Sequence, residues 1–201
     1  MLVARLDSLG DVLLAGPAVR ALATVADVDL VCSTIGRPAA ELLPGVRRVL
    51  SFDAPWVLRD APPVDRRTTD ELVATVAAGG YAAAAVLTSS HQSPLPLAML
   101  LRFAGIPEIA GVSLDHAGRL LDHRIPGDPD VHEVERSLLV TDALGAPRPA
   151  DLALRVRVPR PTPVRDRVVV HPGCTAPART LRPEAWREVV GALADNGWSV
   201  V

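Results

Sequence analysis

The chain has 201 residues, of which 49% are hydrophobic, 22% charged and 3% aromatic, and its formal net charge is -2. Such a composition supplies a packed core and excludes a disordered chain. Near-neutral charge and few aromatic rings give neither the electrostatic footprint nor the stacking surface of a nucleic-acid binder, so small molecules or proteins are the expected partners.

The first apolar run, Leu2–Leu6, is short and suits a core strand of a parallel sheet. It leads into the stretch DSLGD, Asp7 to Asp11, and then into a helical pattern that starts near Asp11 and extends to Val25, with Pro17 predicting a late start or a kink. Strand-like runs recur at Val28–Cys32, Val46–Phe52, Ala82–Leu87 and Glu108–Val112. Between them, helices are expected over Pro38–Leu43, over Asp70–Ala78 with a stop at Gly79-Gly80, and over Leu95–Phe103 before Gly105. The proline-rich stretch from Asp53 to Arg67 reads as a surface loop, and His132–Leu144 as an amphipathic helix ending at Gly145. This alternation predicts an α/β fold, a doubly wound parallel sheet with helices on both faces.

Proline is dense from Gly145 to Arg167 and apolar periodicity fades there, which marks a linker. The expected units are residues 1–150, a linker over 151–166, and a second unit over 167–201. The last reads as a strand at Val168–His171, a glycine-containing loop, a helix over Pro183–Ala194 stopped by Asn196-Gly197, and the first residues of another strand. One strand and one helix bury no core by themselves, so this reads as the beginning of a second domain. Cys32 and Cys174 are far apart and form no ligand-spaced cluster, so neither a disulfide framework nor a zinc site is expected. A reducing cytoplasm fits that usage, and the opening residues lack the basic region and cleavage site of a signal peptide. No apolar run reaches the ~20 residues that span a bilayer.

In a doubly wound sheet, ligands bind beyond the carboxyl ends of the strands, where Asp7 to Asp11 falls. Asp11 and Ser8 are both favoured helix caps, and capping is the commoner use of such residues; a carboxylate at a cleft can also serve as a general base. Gly10 is expected to permit a tight turn or a close ligand approach, and Asp7 to be solvated or to order the loop. Ser89, Ser90, His91 and Gln92 follow another strand and form a polar rim. His132 and Glu133 read as the start of a helix, and Arg119, His123 and Arg124 as either a solvated face or a site for an anion. HPGCTAPARTLRPEAW, from His171, couples a strand to a loop and a helix N-terminus, an arrangement that offers N–H groups to phosphate. Thr175 can donate a hydroxyl and Arg179 a bidentate cation, the alternative being a turn and a surface arginine. His171 reads as a turn histidine and Arg182 as a solvated charge. Neither a P-loop nor the glycine fingerprint of a dinucleotide fold is present, which disfavours a nicotinamide-dependent oxidoreductase.

RLDSLGDVLLAGPAVRAL near the start, HEVERSLLVTDALG in the middle and VVVHPGCTAPARTLRPEAWREVVGALADNGWSVV at the end together resemble glycosyltransferase family 9, the ADP-heptose lipopolysaccharide heptosyltransferases and their relatives. The resemblance implies two Rossmann-like domains in the GT-B arrangement, the first binding the acceptor and the second the nucleotide sugar, with this chain ending early in the second. It implies an inverting transfer without obligatory metal or cofactor, Asp11 as catalytic base, and donor diphosphate contacts around Cys174, Thr175 and Arg179, the last standing where many members carry lysine. Ser8, Gly10, Ser90 and His91 are the expected acceptor contacts. The implied partners are a nucleotide-sugar donor and a glycolipid or glycan acceptor, in the cytoplasm with peripheral contact at the inner membrane face. An inactive acceptor-binding or interaction module is the alternative for a chain of this extent. All of this turns on the acid at the mouth of the first strand facing a phosphate-gripping turn near residue 175.

Overall fold

The apolar runs between Leu2 and Val112 pair side by side into one parallel sheet. The computed structural model describes residues 1–58, 61, 63–157, 166–174 and 177–201, with the backbone alone at Pro177. The chain divides into two compact units, Met1–Arg157 and Val158–Val201.

In the first unit the strands are β1 (Leu2–Arg5), β2 (Val28–Cys32), β3 (Val46–Ser51), β4 (Ala83–Val86), β5 (Glu108–Val112) and β6 (His123–Ile125), in the spatial order β3-β2-β1-β4-β5-β6. Every pairing is parallel. Every residue of β1, β2 and β4 is buried, as expected for central strands covered on both faces. The edge strand β6 is the one the sequence left unread: it has three residues, none of them buried, and two of them are the polar His123 and Arg124. His123 there pairs with Glu108 on β5 at 2.8 Å, and Arg124 Nε donates to the Ser113 carbonyl.

Side-chain alternation along β1 divides the core. Leu2 and Ala4 pack with Leu72 and Val76 of α4 (Arg66–Ala78) and Leu97 and Leu101 of α5 (Leu95–Phe103). Val3 faces the opposite layer, with Val12 of α1 (Leu9–Leu14), Val19 and Leu22 of α2 (Gly16–Leu22), Ala39 and Ala40 of α3 (Arg37–Ala40) and Leu138 of α6 (Glu133–Ala143). The single helix expected from Asp11 to Val25 is two, broken at Ala15, where Pro17 in the first turn of α2 begins a new segment. α4 starts four residues before the expected Asp70, because Asp65 caps it by accepting from the Thr68 N–H at 2.9 Å. That hydrogen bond holds the Asp65 carboxyl below its ordinary pKa. Gly45, at φ +93°, turns the chain into β3; a Cβ there would lie 2.9 Å from the Ala23 Cβ.

The proline-rich stretch begins on the first unit. Arg20 donates to the carbonyls of Asp151 and Ala153, and the Arg157 N–H donates to the Leu42 carbonyl at 2.7 Å. Among the described residues the second unit forms a βαβ element: β7 (Arg167–Val168), a 3₁₀ turn (Pro177–Arg179), α7 (Pro183–Asp195) and β8 (Ser199–Val200), with β7 and β8 parallel. β7 stops before the expected end at His171, and no residue of α7 is buried. Among the described residues no helix is long and apolar enough to cross a membrane.

Near the amino end of β2, Asp29 is fully buried and accepts from Arg47 Nε at 2.9 Å, Arg48 Nε at 3.1 Å and the Tyr81 hydroxyl at 2.6 Å. Burial by itself would raise its pKa; hydrogen bonds from Arg47 and Tyr81 and the two guanidinium charges outweigh it and hold the carboxyl below its ordinary value. A carboxyl depressed in the folded state gives stability that is full above its unfolded pKa of about 3.9 and is lost as pH falls through the folded value. Thermal melts of wild type should therefore lose stability below about pH 4 more steeply than those of Asp29→Asn. Asp29→Ala at neutral pH is expected to cost about 3 kcal/mol, the low end for a broken buried pair because both arginines are half-exposed.

Candidate functional site

The order β3-β2-β1-β4-β5-β6 reverses direction between β1 and β4, and such a switch point opens a crevice at the carboxyl ends of the two strands. Arg5 ends β1, on the same face as Val3 and therefore beneath α6. Its side chain is 1% exposed, and a cation so placed must be paired. Nη2 lies 2.8 Å from Ser89 Oγ, 3.0 Å from Asp7 Oδ2 and 3.4 Å from Asp11 Oδ1; Nη1 lies 3.2 Å from Glu133 Oε2. Ser89, just beyond β4, closes the ring by donating to Asp7 Oδ2 at 2.6 Å. Arg5 Nε has no hydrogen-bond partner among the described residues.

Asp7 is thus buried and paired, correcting the solvated half of its expected role and keeping the loop-ordering half. Its backbone is fixed as well. Buried Ser33, beyond β2, donates to the Asp7 carbonyl at 2.7 Å and accepts from the Gly36 N–H at 3.0 Å.

Asp11 is partly exposed, and its expected capping role is met. Ser8 is the N-cap of α1, and Asp11 completes the capping box: Oδ2 accepts from Ser8 Oγ at 2.7 Å and from the Ser8 N–H at 3.1 Å. Among the described residues Oδ1 has no hydrogen bond, only the 3.4 Å ion pair with Arg5. One oxygen orients the carboxylate, and the capping box leaves the other without a local partner. Gly10 lies within α1 rather than in a tight turn, and a Cβ there would meet only Ser8 Oγ, at 3.8 Å.

Ser90 and His91 are exposed and line a cavity of about 260 Å³ at the carboxyl ends of β4 and β5, together with Ser89, Gln92, Ser113 and Arg136. Arg136, on the buried side of α6, is 5% exposed; Nη2 donates to the Asp128 carbonyl, Nε stands 3.9 Å from Glu133 Oε1, and among the described residues Nε makes no hydrogen bond. Arg119, His123 and Arg124 do not line this cavity. Cys32 is buried, and burial pushes its thiol up to about 11, which removes it as a nucleophile near neutral pH. Among the described residues no group of three His, Cys, Asp or Glu side chains is arranged to hold a metal ion.

In the second unit Cys174 and Arg179 are both exposed, and Arg179 ends the 3₁₀ turn. Thr175 lies outside the described residues. Thr180 closes the loop by donating to the Pro172 carbonyl at 2.8 Å, and Trp186 Nε1 on α7 donates to Thr180 Oγ1 at 3.2 Å. Exposed His171 lies in that loop, and Arg182 is the N-cap position of α7, where its side chain makes no capping hydrogen bond among the described residues.

Sequence reasoning missed the roles of Arg5, Glu133 and Arg136. The signal for Arg5 was present: a charged residue inside an apolar core strand calls for a buried partner. For Glu133 there was none, since its partner stands 128 residues away.

Breaking the Arg5–Asp7 pair leaves a carboxylate buried without compensation. Arg5→Met is expected to cost about 3–5 kcal/mol in denaturant unfolding, whereas Ser89→Ala, which removes one hydrogen bond to Asp7, should cost about 1–3 kcal/mol.

No family model matches the chain, and comparison with curated proteins finds no match. Solved structures do match. Escherichia coli ADP-heptose LPS heptosyltransferase II aligns with a TM-score of 0.71 at 20% identity over 99% of this chain and 62% of its own. E. coli heptosyltransferase WaaC, solved with ADP-2-deoxy-2-fluoro heptose, aligns at 0.72 and 21% identity over 99% of this chain and 67% of its own. The glycosyl transferase family 9 protein from Veillonella parvula DSM 2008 aligns at 0.71 and 15% identity over 99% of this chain and 60% of its own. The chain spans about three fifths to two thirds of the length of these proteins. Over that extent it has the fold of the heptosyltransferases and their family 9 relatives.

Proposed function

We propose that this chain is the acceptor side, with the start of the donor side, of a family 9 glycosyltransferase. The transferred group is a heptose or related sugar carried on an ADP-heptose-like nucleotide diphosphate, and the acceptor is a glycolipid or glycan. The observation that carries this reading is the half-capped carboxylate of Asp11 at the β1/β4 switch point, in a chain whose fold is shared with proteins solved with ADP and an ADP-heptose analogue.

The reaction that this reading implies is an inverting displacement. An acceptor hydroxyl hydrogen-bonded to Asp11 Oδ1 gives up its proton there while its oxygen attacks the anomeric carbon, and the bond from that carbon to the diphosphate oxygen breaks. The leaving diphosphate gains negative charge, which N–H groups of the loop around Cys174 and Thr175 and the cation of Arg179 are suited to accept. Ser8 holds Asp11 and adjoins the acceptor, Gly10 leaves room for a close approach, and Ser90 and His91 present hydroxyl and imidazole groups to acceptor hydroxyls. Arg136 adds a buried cation to the same cavity, suited to an acidic acceptor group. None of these roles calls on a metal or an organic cofactor. A lipid-borne acceptor would draw the protein to the inner face of the cytoplasmic membrane by peripheral contact.

The test is Asp11→Asn in the full-length protein. The amide keeps the capping geometry and cannot take a proton, so turnover of the nucleotide sugar should fall about 10²–10⁴-fold while donor affinity stays nearly constant. Unchanged turnover would sink the assignment.

A further inference from the structure

Glu133 opens α6 and could be read as a carboxylate that complements the helix dipole. Glu135 lies in the same turn and serves the dipole equally well, with its side chain turned to Arg148 at 2.7 Å. Glu133 is turned the other way. Its Oε2 sits 3.2 Å from Nη1 of the buried Arg5, and its Oε1 3.9 Å from Nε of Arg136.

The consequence falls on Asp11. A terminal guanidinium nitrogen carries two hydrogens, and Nη2 of Arg5 faces three acceptors: Ser89 at 2.8 Å, Asp7 at 3.0 Å and Asp11 at 3.4 Å. Asp11 is the loser, since a charge-assisted bond of this kind is normally about 2.7–2.9 Å. With Asp7 and Ser89 gripping one edge of the planar guanidinium and Glu133 the other, the group cannot slide forward onto Asp11. Were the Glu133 edge free, a small swing would carry Nη2 onto Oδ1 and tie up the one oxygen that the capping box leaves open.

We propose that Glu133 is a positioning residue for Asp11: by anchoring Nη1 of Arg5 it holds the guanidinium back, so that Asp11 Oδ1 stays free to take the acceptor proton. The inference rests on the reading of Asp11 as the base. It assigns no new bond-making step, since the proton still passes from the acceptor hydroxyl to Oδ1.

The experiment uses the full-length protein with Glu133→Gln, Glu133→Asp and Glu133→Ala, each alone, and Glu133→Ala combined with Asp11→Asn; initial rates are followed against donor concentration. Glu133 is about a quarter exposed, so its variants should fold, and unfolding midpoints check this. Gln keeps an acceptor oxygen at the same reach and should retain near wild-type kcat. Asp keeps the charge one methylene short, and Asp and Ala should each lower kcat about 10–100-fold with donor KM nearly constant. On the Asp11→Asn background, Glu133→Ala should cause no further loss, because the group it serves is gone. An equal loss on both backgrounds, or wild-type kcat in both Glu133→Asp and Glu133→Ala, would overturn the inference while leaving the base assignment standing. If Asp11→Asn itself keeps wild-type turnover, the base assignment falls and the inference with it.

Discussion

A single buried guanidinium organises the first unit's functional end. Arg5 is all but sealed from solvent at the carboxyl end of β1, and a cation cannot remain there unless carboxylates and hydroxyls come to it. Those that come are drawn from the turn after β1, from α1, from the loop after β4 and from the first turn of α6. The pairing that makes Arg5 tolerable therefore also fixes the relative positions of four chain segments around the crevice.

The arrangement separates anchoring from reactivity. Asp7 is buried, fixed by Arg5 and Ser89 through its side chain and by Ser33 through its backbone. Asp11, four residues further and in the first turn of α1, is tied by Ser8 through one oxygen, has only the longer Arg5 contact on the other, and is partly exposed. Two carboxylates four residues apart are thus held differently: Asp7 on both its side chain and its backbone, Asp11 chiefly through one oxygen. The Asp29 cluster at the other end of the sheet is a contrast, since every carboxylate oxygen there is engaged by Arg47, Arg48 or Tyr81.

Much of the fold was legible because its signals are local and periodic. The five core runs paired as a parallel sheet, and α5 spans the expected residues. What escaped was set by tertiary context. β6 has too few residues and too little burial to show a pattern, and it forms because β5 offers it an edge. The start of α4 depended on Asp65 acting as a cap within a stretch that reads as loop, and the break at Ala15 on how Pro17 resolves its missing N–H. At the site, Asp11 and Ser8 could be found because caps and cleft carboxylates fall in recognisable places. Glu133 could not, because its meaning lies in an arginine near the start of the chain, and Arg136 could not, because only the folded loops make the cavity that it lines.

The reading of this end of the molecule as a sugar-transfer site is tested most directly by a crystal structure of the full-length protein with a non-hydrolysable ADP-sugar analogue. The account predicts the anomeric carbon over the β1/β4 crevice, with Asp11 Oδ1 facing it from the side opposite the diphosphate. A donor bound away from that crevice, or an Asp11 carboxylate turned from the anomeric carbon, would contradict it.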